Sequence, residues 1–217
     1  MKQKILLSLG VVFILAFAGY WAYQAFKVDI PELSDYQKAV SLIQQGKWEE
    51  AQPLLEKCIH SEPGNGECEF HLGNVYRKRS NFSDALTHYE NAINKTPNIK
   101  EAYNNAAAIK MTEGKYDDAL LIINHGLGQD ANNQELLFKK AQLIYFNADY
   151  KQTIEIMSRL VVENQYFEAY RFMGLSYLKL GNKVKGLDNL KIYLEMAPST
   201  VKDKNDIERI VLELEVS

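Results

Sequence analysis

Large apolar, small and turn-forming residues recur along this chain in a fixed order, five times over, with a period of about 34 residues. The clearest copy runs from Gly66 to Ile99. It carries Leu72-Gly73, Tyr76, Phe82, Ala85, Tyr89, Ala92 and Pro97. A period of this length, with large, small and Pro residues in this order, predicts a helix-turn-helix solenoid.

The other copies align with it. The first, from Glu32, carries Ala39, Gly46, Trp48, Ala51, Leu55, Cys58 and Pro63. The third, from Lys100, carries Tyr103, Ala106-Ala107, Gly114, Tyr116, Ala119, Ile123 and Gly126, with Ala131 in place of the closing Pro. The fourth, from Gln134, carries Ala141, Ile144, Tyr150, Thr153 and Leu160, and is one residue short. The fifth, from Phe167, carries Tyr170, Met173-Gly174, Tyr177, Gly181, Gly186, Leu190, Tyr193 and Pro198. Each position has a physical role. Gly73, Gly174, Ala39, Ala107 and Ala141 are expected where the two helices of a hairpin approach, because a large side chain there would overpack the contact. Trp48, Phe82, Tyr116 and Tyr150 are expected to open the second helix and plug the gap between helices. Pro63, Pro97 and Pro198 keep the second helix from running on.

This order of residues resembles the tetratricopeptide repeat family over roughly Glu32 to Pro198. The resemblance implies an all-α helix-turn-helix solenoid with about five repeats in 34–198. It implies a binding scaffold and not an enzyme. Such stacks need caps. In 199–217, Ile207, Ile210, Val211 and Leu214 stand at helical spacing, which predicts a C-terminal capping helix from about Lys202 to Glu215.

The N-terminus changes the picture. Lys2 and Lys4 precede an uncharged run from Ile5 to Phe26, about 22 residues and long enough to span a bilayer core. Tyr20, Trp21 and Tyr23 gather at its far end, as an interfacial belt would. Residues 1–27 therefore read as a transmembrane signal anchor and 28–33 as a short tether. The leading lysines keep the N-terminus cytoplasmic, so the repeats lie on the extracytoplasmic, periplasmic side of a single-pass membrane protein. The alternative is a secreted soluble protein cleaved near Ala18, since Ala16-Phe17-Ala18 has the small-x-small form of a signal-peptide site.

Composition narrows the function. The formal net charge of −3 leaves no basic footprint for nucleic acid. His60, His71, His88 and His125 show no repeated spacing to a carboxylate or Cys. No nucleophile elbow, phosphate-cradling loop or His-Glu metal motif occurs. We therefore expect no catalytic residues, no metal and no cofactor. The two cysteines, Cys58 and Cys68, lie on either side of the Pro63 turn, where the family usually has small residues. In an oxidising compartment they can form a disulfide; otherwise they are two buried small residues.

The resemblance also implies a concave groove lined by the first helix of each hairpin. Mapped onto this chain, that groove holds Phe70, Asn74, Arg77 and Lys78, then Asn104, Ala108 and Met111. It continues with Phe138, Gln142, Tyr145 and Phe146, and ends with Arg171, Leu175, Leu178 and Lys179. The fourth repeat is the most aromatic, and aromatic anchors are the usual hot spots of interfaces. The expected partner is an apolar or amphipathic peptide or helix of another protein; the competing reading packs these aromatics between hairpins. Relatives that clamp the carboxylate tail of heat-shock chaperones use a Lys-Asn-Asn-Lys-Arg set. Here Asn74 and Asn105 match the amides, but Phe70 and Glu135 replace the lysines and Lys139 only approximates the Arg. The resulting expectation is a membrane-tethered protein–protein interaction scaffold for assembly or maintenance of a cell-envelope complex of pilus, secretion or outer-membrane type. Alternatives are a chaperone-like holder of exported clients and an accessory subunit of a membrane enzyme. Self-assembly of the array is a further option.

Overall fold

Helical hairpins that cannot bury their own apolar faces have to stack on neighbours. The computed structural model, which describes residues 32–161 and 166–216, consists of such a stack. Among the described residues there are eleven helices and no strand. They pair as α1 (Asp35–Gln44) with α2 (Trp48–Ser61), α3 (Gly66–Lys78) with α4 (Phe82–Lys95), and α5 (Lys100–Thr112) with α6 (Tyr116–Gln129). Then come α7 (Gln134–Phe146) with α8 (Tyr150–Leu160) and α9 (Phe167–Lys179) with α10 (Lys183–Met196), followed by α11 (Lys204–Val216). The array forms one compact unit, Asp35–Ser217. The apolar run 5–26, and with it the expected anchor, lies outside the described residues. Among those described, no helix is long and apolar enough to cross a membrane.

Each hairpin turns through the same backbone. Gly46, Ser80, Gly114, Ala148 and Gly181 occupy one position of the repeat, with φ of 77°, 60°, 74°, 61° and 79°. These left-handed values favour glycine, and three of the five residues are glycine. The amide that follows each one reaches back to a carbonyl of the first helix: Lys47 to Leu42, Asn81 to Tyr76, Lys115 to Lys110, Asp149 to Ile144, Asn182 to Tyr177. In three hairpins that next residue also caps the second helix. The side chains of Asn81, Asp149 and Asn182 accept from the amides of Asp84, Gln152 and Lys185.

Inside the hairpins the small residues sit where side chains are excluded. A Cβ on Gly73 would lie 2.8 Å from the ring of Tyr89, and one on Gly174 would lie 2.7 Å from Leu190 Cγ. Tyr89 and Leu190 are fully buried. The residues that open the second helices divide: Trp48 and Tyr150 are half-buried, Trp48 packing on the core of the first hairpins. Each stands at the first helical position, as expected, but Phe82 is 42% exposed and Tyr116 is also exposed, so neither plugs the interhelical gap. Tyr89, Tyr103 and Ile123 fill that volume instead, together with Ala85, Ala92, Ala102 and Ala106.

The junction between the first two hairpins is covalent. Cys58 of α2 and Cys68 of α3 are paired, with Cα atoms 6.1 Å apart, inside the range a disulfide spans. The corresponding junction one repeat later is made by Ala92 and Ala102, both fully buried.

α11 covers the last hairpin. Ile207 and Val211 bury against Leu190, Tyr193 and Ala197. Asp203, just ahead of the helix, accepts from the Tyr193 hydroxyl at 2.6 Å and pairs with Arg171 of α9. Lys204 Nζ donates to the Ala197 carbonyl at 2.6 Å.

Candidate functional site

The face expected to bind is built from α1, α3, α5, α7 and α9, which lie side by side. Side-chain rungs join them, and the rungs use several of the residues expected to be free. Asn104 is only 5% exposed, and its Nδ2 donates to Glu135 Oε2 of α7 at 2.6 Å. One repeat on, Phe138 is 9% exposed, with its ring 5.5 Å from that of Tyr166 and 5.9 Å from that of Phe172 of α9. Arg171 reaches Asp203 of the cap and lies over the Phe172 ring, 4.6 Å from its centroid. Phe70 tilts against Tyr89 at 6.0 Å and packs on the core. These four residues share one position of the repeat, and each is engaged by a neighbour: Asn104 and Phe138 by the next hairpin, Arg171 by the cap and Phe70 by Tyr89 of its own hairpin. Met111 and Leu175 likewise pack on core clusters. Tyr145 is half-buried, edge-on to Phe172 at 5.3 Å and to Tyr150 at 5.6 Å. Of the fourth-repeat aromatics, Phe146 stands out, 68% exposed; Gln142 is half-buried.

What stays open lies toward the C-terminal ends of the first helices. One part of it rests on a part-buried hydrogen-bond knot around Tyr89. Tyr89 Oη donates to Asn74 Oδ1 at 2.8 Å. Asn105 Nδ2 donates to Asn74 Oδ1 at 3.1 Å and to Tyr89 Oη at 3.3 Å. Arg77 Nε donates to Tyr89 Oη at 3.2 Å. Burial pushes the Tyr89 phenol up, against the opposing pull of Arg77, so the group stays a neutral donor. The bond to Tyr89 draws the exposed Arg77 side chain to the wall of a cavity of about 340 Å³. Phe82, Ala108 and Ile109 give that cavity an apolar lining, with Asn105, Thr112 and Glu113 completing it. Glu113 is neutralised by Lys115 at 2.9 Å. Among the described residues no carboxylate pairs with Arg77. The cavity thus offers apolar area beside a cation that no carboxylate pairs with among the described residues.

The clamp positions have different work. Asn74 and Asn105 bond to each other. Glu135 is held by Lys139 at 3.0 Å and by Asn104, so its charge is tied into the α5–α7 rung.

One buried group has no counterpart in the repeat pattern. Glu69 of α3 stands where later repeats have Tyr103, Leu137 and Tyr170, and it is nearly inaccessible. His88 Nδ1 and Lys95 Nζ of α4 both meet its carboxylate at 2.6 Å, and Tyr76 stacks on the His88 ring at 5.2 Å. Burial raises the Glu69 carboxyl, but the bonds from Lys95 and His88 outweigh it and hold the group below its ordinary range. The three residues are far apart in sequence, and no motif marks them. Among the described residues no cluster of His, Cys, Asp and Glu is suited to a metal ion.

Comparison with known proteins agrees with this architecture. Residues 42–109 match the family model for the tetratricopeptide repeat. The chain is similar to ER membrane protein complex subunit 2-A of Xenopus laevis, 22% identical over 183 residues, covering 83% of this chain and 60% of that protein. It is also similar to Hsp70-Hsp90 organizing protein 2 of Arabidopsis thaliana, 29% identical over 148 residues, covering 49% of this chain and 26% of that one. The chain therefore spans from about a quarter to three-fifths of the length of these relatives. Among solved structures, YrrB, described as a TPR protein with an unusual peptide-binding site, superposes with a TM-score of 0.67 at 15% identity, covering 91% of this chain and 97% of that one. At that identity the likeness bears on fold alone.

Proposed function

We propose that this tetratricopeptide repeat protein is a membrane-tethered interaction scaffold. It serves assembly or maintenance of a cell-envelope complex, with its array on the extracytoplasmic side and residues 5–26 as the anchor. The partner is an apolar or amphipathic segment of another protein. It lies along the open, C-terminal part of the first-helix face, from the Arg77–Phe82 cavity toward Phe146. The observation that carries this reading is the cavity itself: about 340 Å³, with apolar walls and the Arg77 side chain hydrogen-bonded to buried Tyr89 at its edge. Preorganisation of this kind lowers the entropic cost of binding. Likeness to a subunit of a membrane protein complex supports the reading as an analogy.

The test is crosslinking and pull-down from native membranes with wild type, an Arg77→Ala, Phe82→Ala variant and a Phe146→Ala variant. The expected result is one stoichiometric partner that both variants lose. A partner retained by both would move binding to another surface. Likeness to Hsp70-Hsp90 organizing proteins favours a second reading, a holder of exported clients. Many weakly bound, unfolded captures in the same experiment would select it. Protease access to the repeats in intact spheroplasts tests the placement, and complete protection would overturn it.

A further inference from the structure

The five tight turns give the array five hairpin tips, and their chemistry differs. The last tip, from Leu178 to Leu187, carries Lys179, Lys183 and Lys185 and no carboxylate. Each of the other four holds at least one, among them Glu49, Asp84, Asp117 and Asp149. The last tip also leaves two large apolar residues in solvent: Leu180 is 43% exposed and Val184 70%.

Backbone geometry keeps them there. Behind the tip α9 and α10 close tightly, since a Cβ on Gly186 would run into the Leu178 side chain. Leu178 packs on the core cluster of the last hairpin, which leaves Leu180 and Val184 outside. The Asn182 amide bonds the Tyr177 carbonyl at 2.8 Å, and the Asn182 side chain accepts from the Lys185 amide at 3.1 Å. A Cβ on Gly181 would meet nothing within 4 Å, so the turn itself faces open space. The tip is a preset, protruding turn in which two apolar side chains alternate with three lysines.

We propose that this tip rests on the membrane, on a surface of anionic lipid. Leu180 and Val184 enter the boundary between headgroups and acyl chains. Lys179, Lys183 and Lys185 lay their stems along that boundary and place their ammonium groups among the anionic headgroups. An acidic protein surface would satisfy the lysines alone; a bilayer interface takes the charged and the apolar side chains together. The proposal rests on the tether read from residues 5–26, which brings a bilayer beside the array. It adds a second hold on the membrane, and it uses none of the residues that line the Arg77–Phe82 cavity.

The test is quenching by brominated lipid in the full chain, reconstituted in vesicles of phosphatidylcholine alone or of phosphatidylcholine with phosphatidylglycerol. Tryptophan enters the last tip as Val184→Trp and, in a separate chain, the acidic third tip as Tyr116→Trp. Both are made in a Trp21→Phe background, and quenching is read as the difference from that background. Val184→Trp is expected to be quenched in the phosphatidylglycerol vesicles. That quenching should be lost in phosphatidylcholine alone, in high salt, and when Lys179, Lys183 and Lys185 are all changed to Gln. Tyr116→Trp should not be quenched in either vesicle. A chain that floats with the vesicles but shows no quenching at 184, equal quenching at 184 in both lipids, or equal quenching at 116 would overturn this contact and leave the tether standing; the first of these would turn the tip toward an acidic protein. A chain that floats with neither vesicle would overturn both.

Discussion

Glu69 illustrates how one residue can depart from its repeat and remain stable. A carboxylate replaces the ring or leucine of later repeats, and the Lys95 ammonium and the His88 ring of α4 meet it. Its folded carboxyl titrates below the ordinary value of 4.5. A depressed folded value means that its contribution to stability is fully present above the unfolded value and is lost as pH falls through the folded one. Glu69→Gln is therefore expected to cost about 1–3 kcal/mol near neutral pH. Its melting temperature should converge on that of wild type in strong acid. A constant difference across the whole pH range would show that the charge is not what matters. The sequence concealed this trio because the repeat pattern says nothing about residues that break it. The cysteines were easier to read: a spacing of 10 across a turn between antiparallel neighbours places them within reach of each other.

At the scale of the element, helices, hairpin order and turn positions were legible from period alone, since the same large, small and turn residues recur at each. The misreading concerned how closely neighbouring first helices interlock. Asn104, Phe138 and Arg171 lie on the expected face, yet each spans to the next hairpin or to the cap. Face membership follows from helical periodicity, whereas the distance to a neighbouring helix does not. The shared turn yields a sharper expectation. Ser80 and Ala148 hold the left-handed backbone that glycine holds in the other three turns. Ala148→Gly removes Cβ strain at the expense of a more flexible unfolded chain, for a net gain of about 0.5–1 kcal/mol. Gly114→Ala should lose a similar amount, and denaturant midpoints of the pair would show it. Inside a hairpin, Gly174→Leu forces a side chain onto Leu190 and should cost at least about 1–3 kcal/mol. An unaltered midpoint would mean that the α9–α10 approach is looser than described.

At the scale of the whole molecule, a solenoid ends wherever its last apolar face is covered. α11 does this for α10, with Asp203 linking Tyr193 and Arg171 at its start. The apolar spacing of Ile207 and Val211 announced the cap; the Asp203 link was invisible, because its partners come from two different helices. Truncation after Thr200 should expose Leu190 and Tyr193, lower the melting temperature and provoke aggregation. Asp203→Asn should lower it less and leave the protein soluble. A truncated chain as stable and soluble as wild type would remove the capping role.

The covalent junction at Cys58 and Cys68 has a mechanical consequence. Pulled from both ends, a stack of hairpins gives way one unit at a time, and each unit releases its full contour. A bond between residues 10 apart withholds its loop from that release, with its ends held at 6.1 Å. The unravelled chain is shorter by roughly 30 Å than its reduced counterpart. Under load, tension passing through the first two hairpins would run along sulfur instead of along the segment around Pro63. Adding reductant to a single-molecule extension experiment would return the missing length in one step.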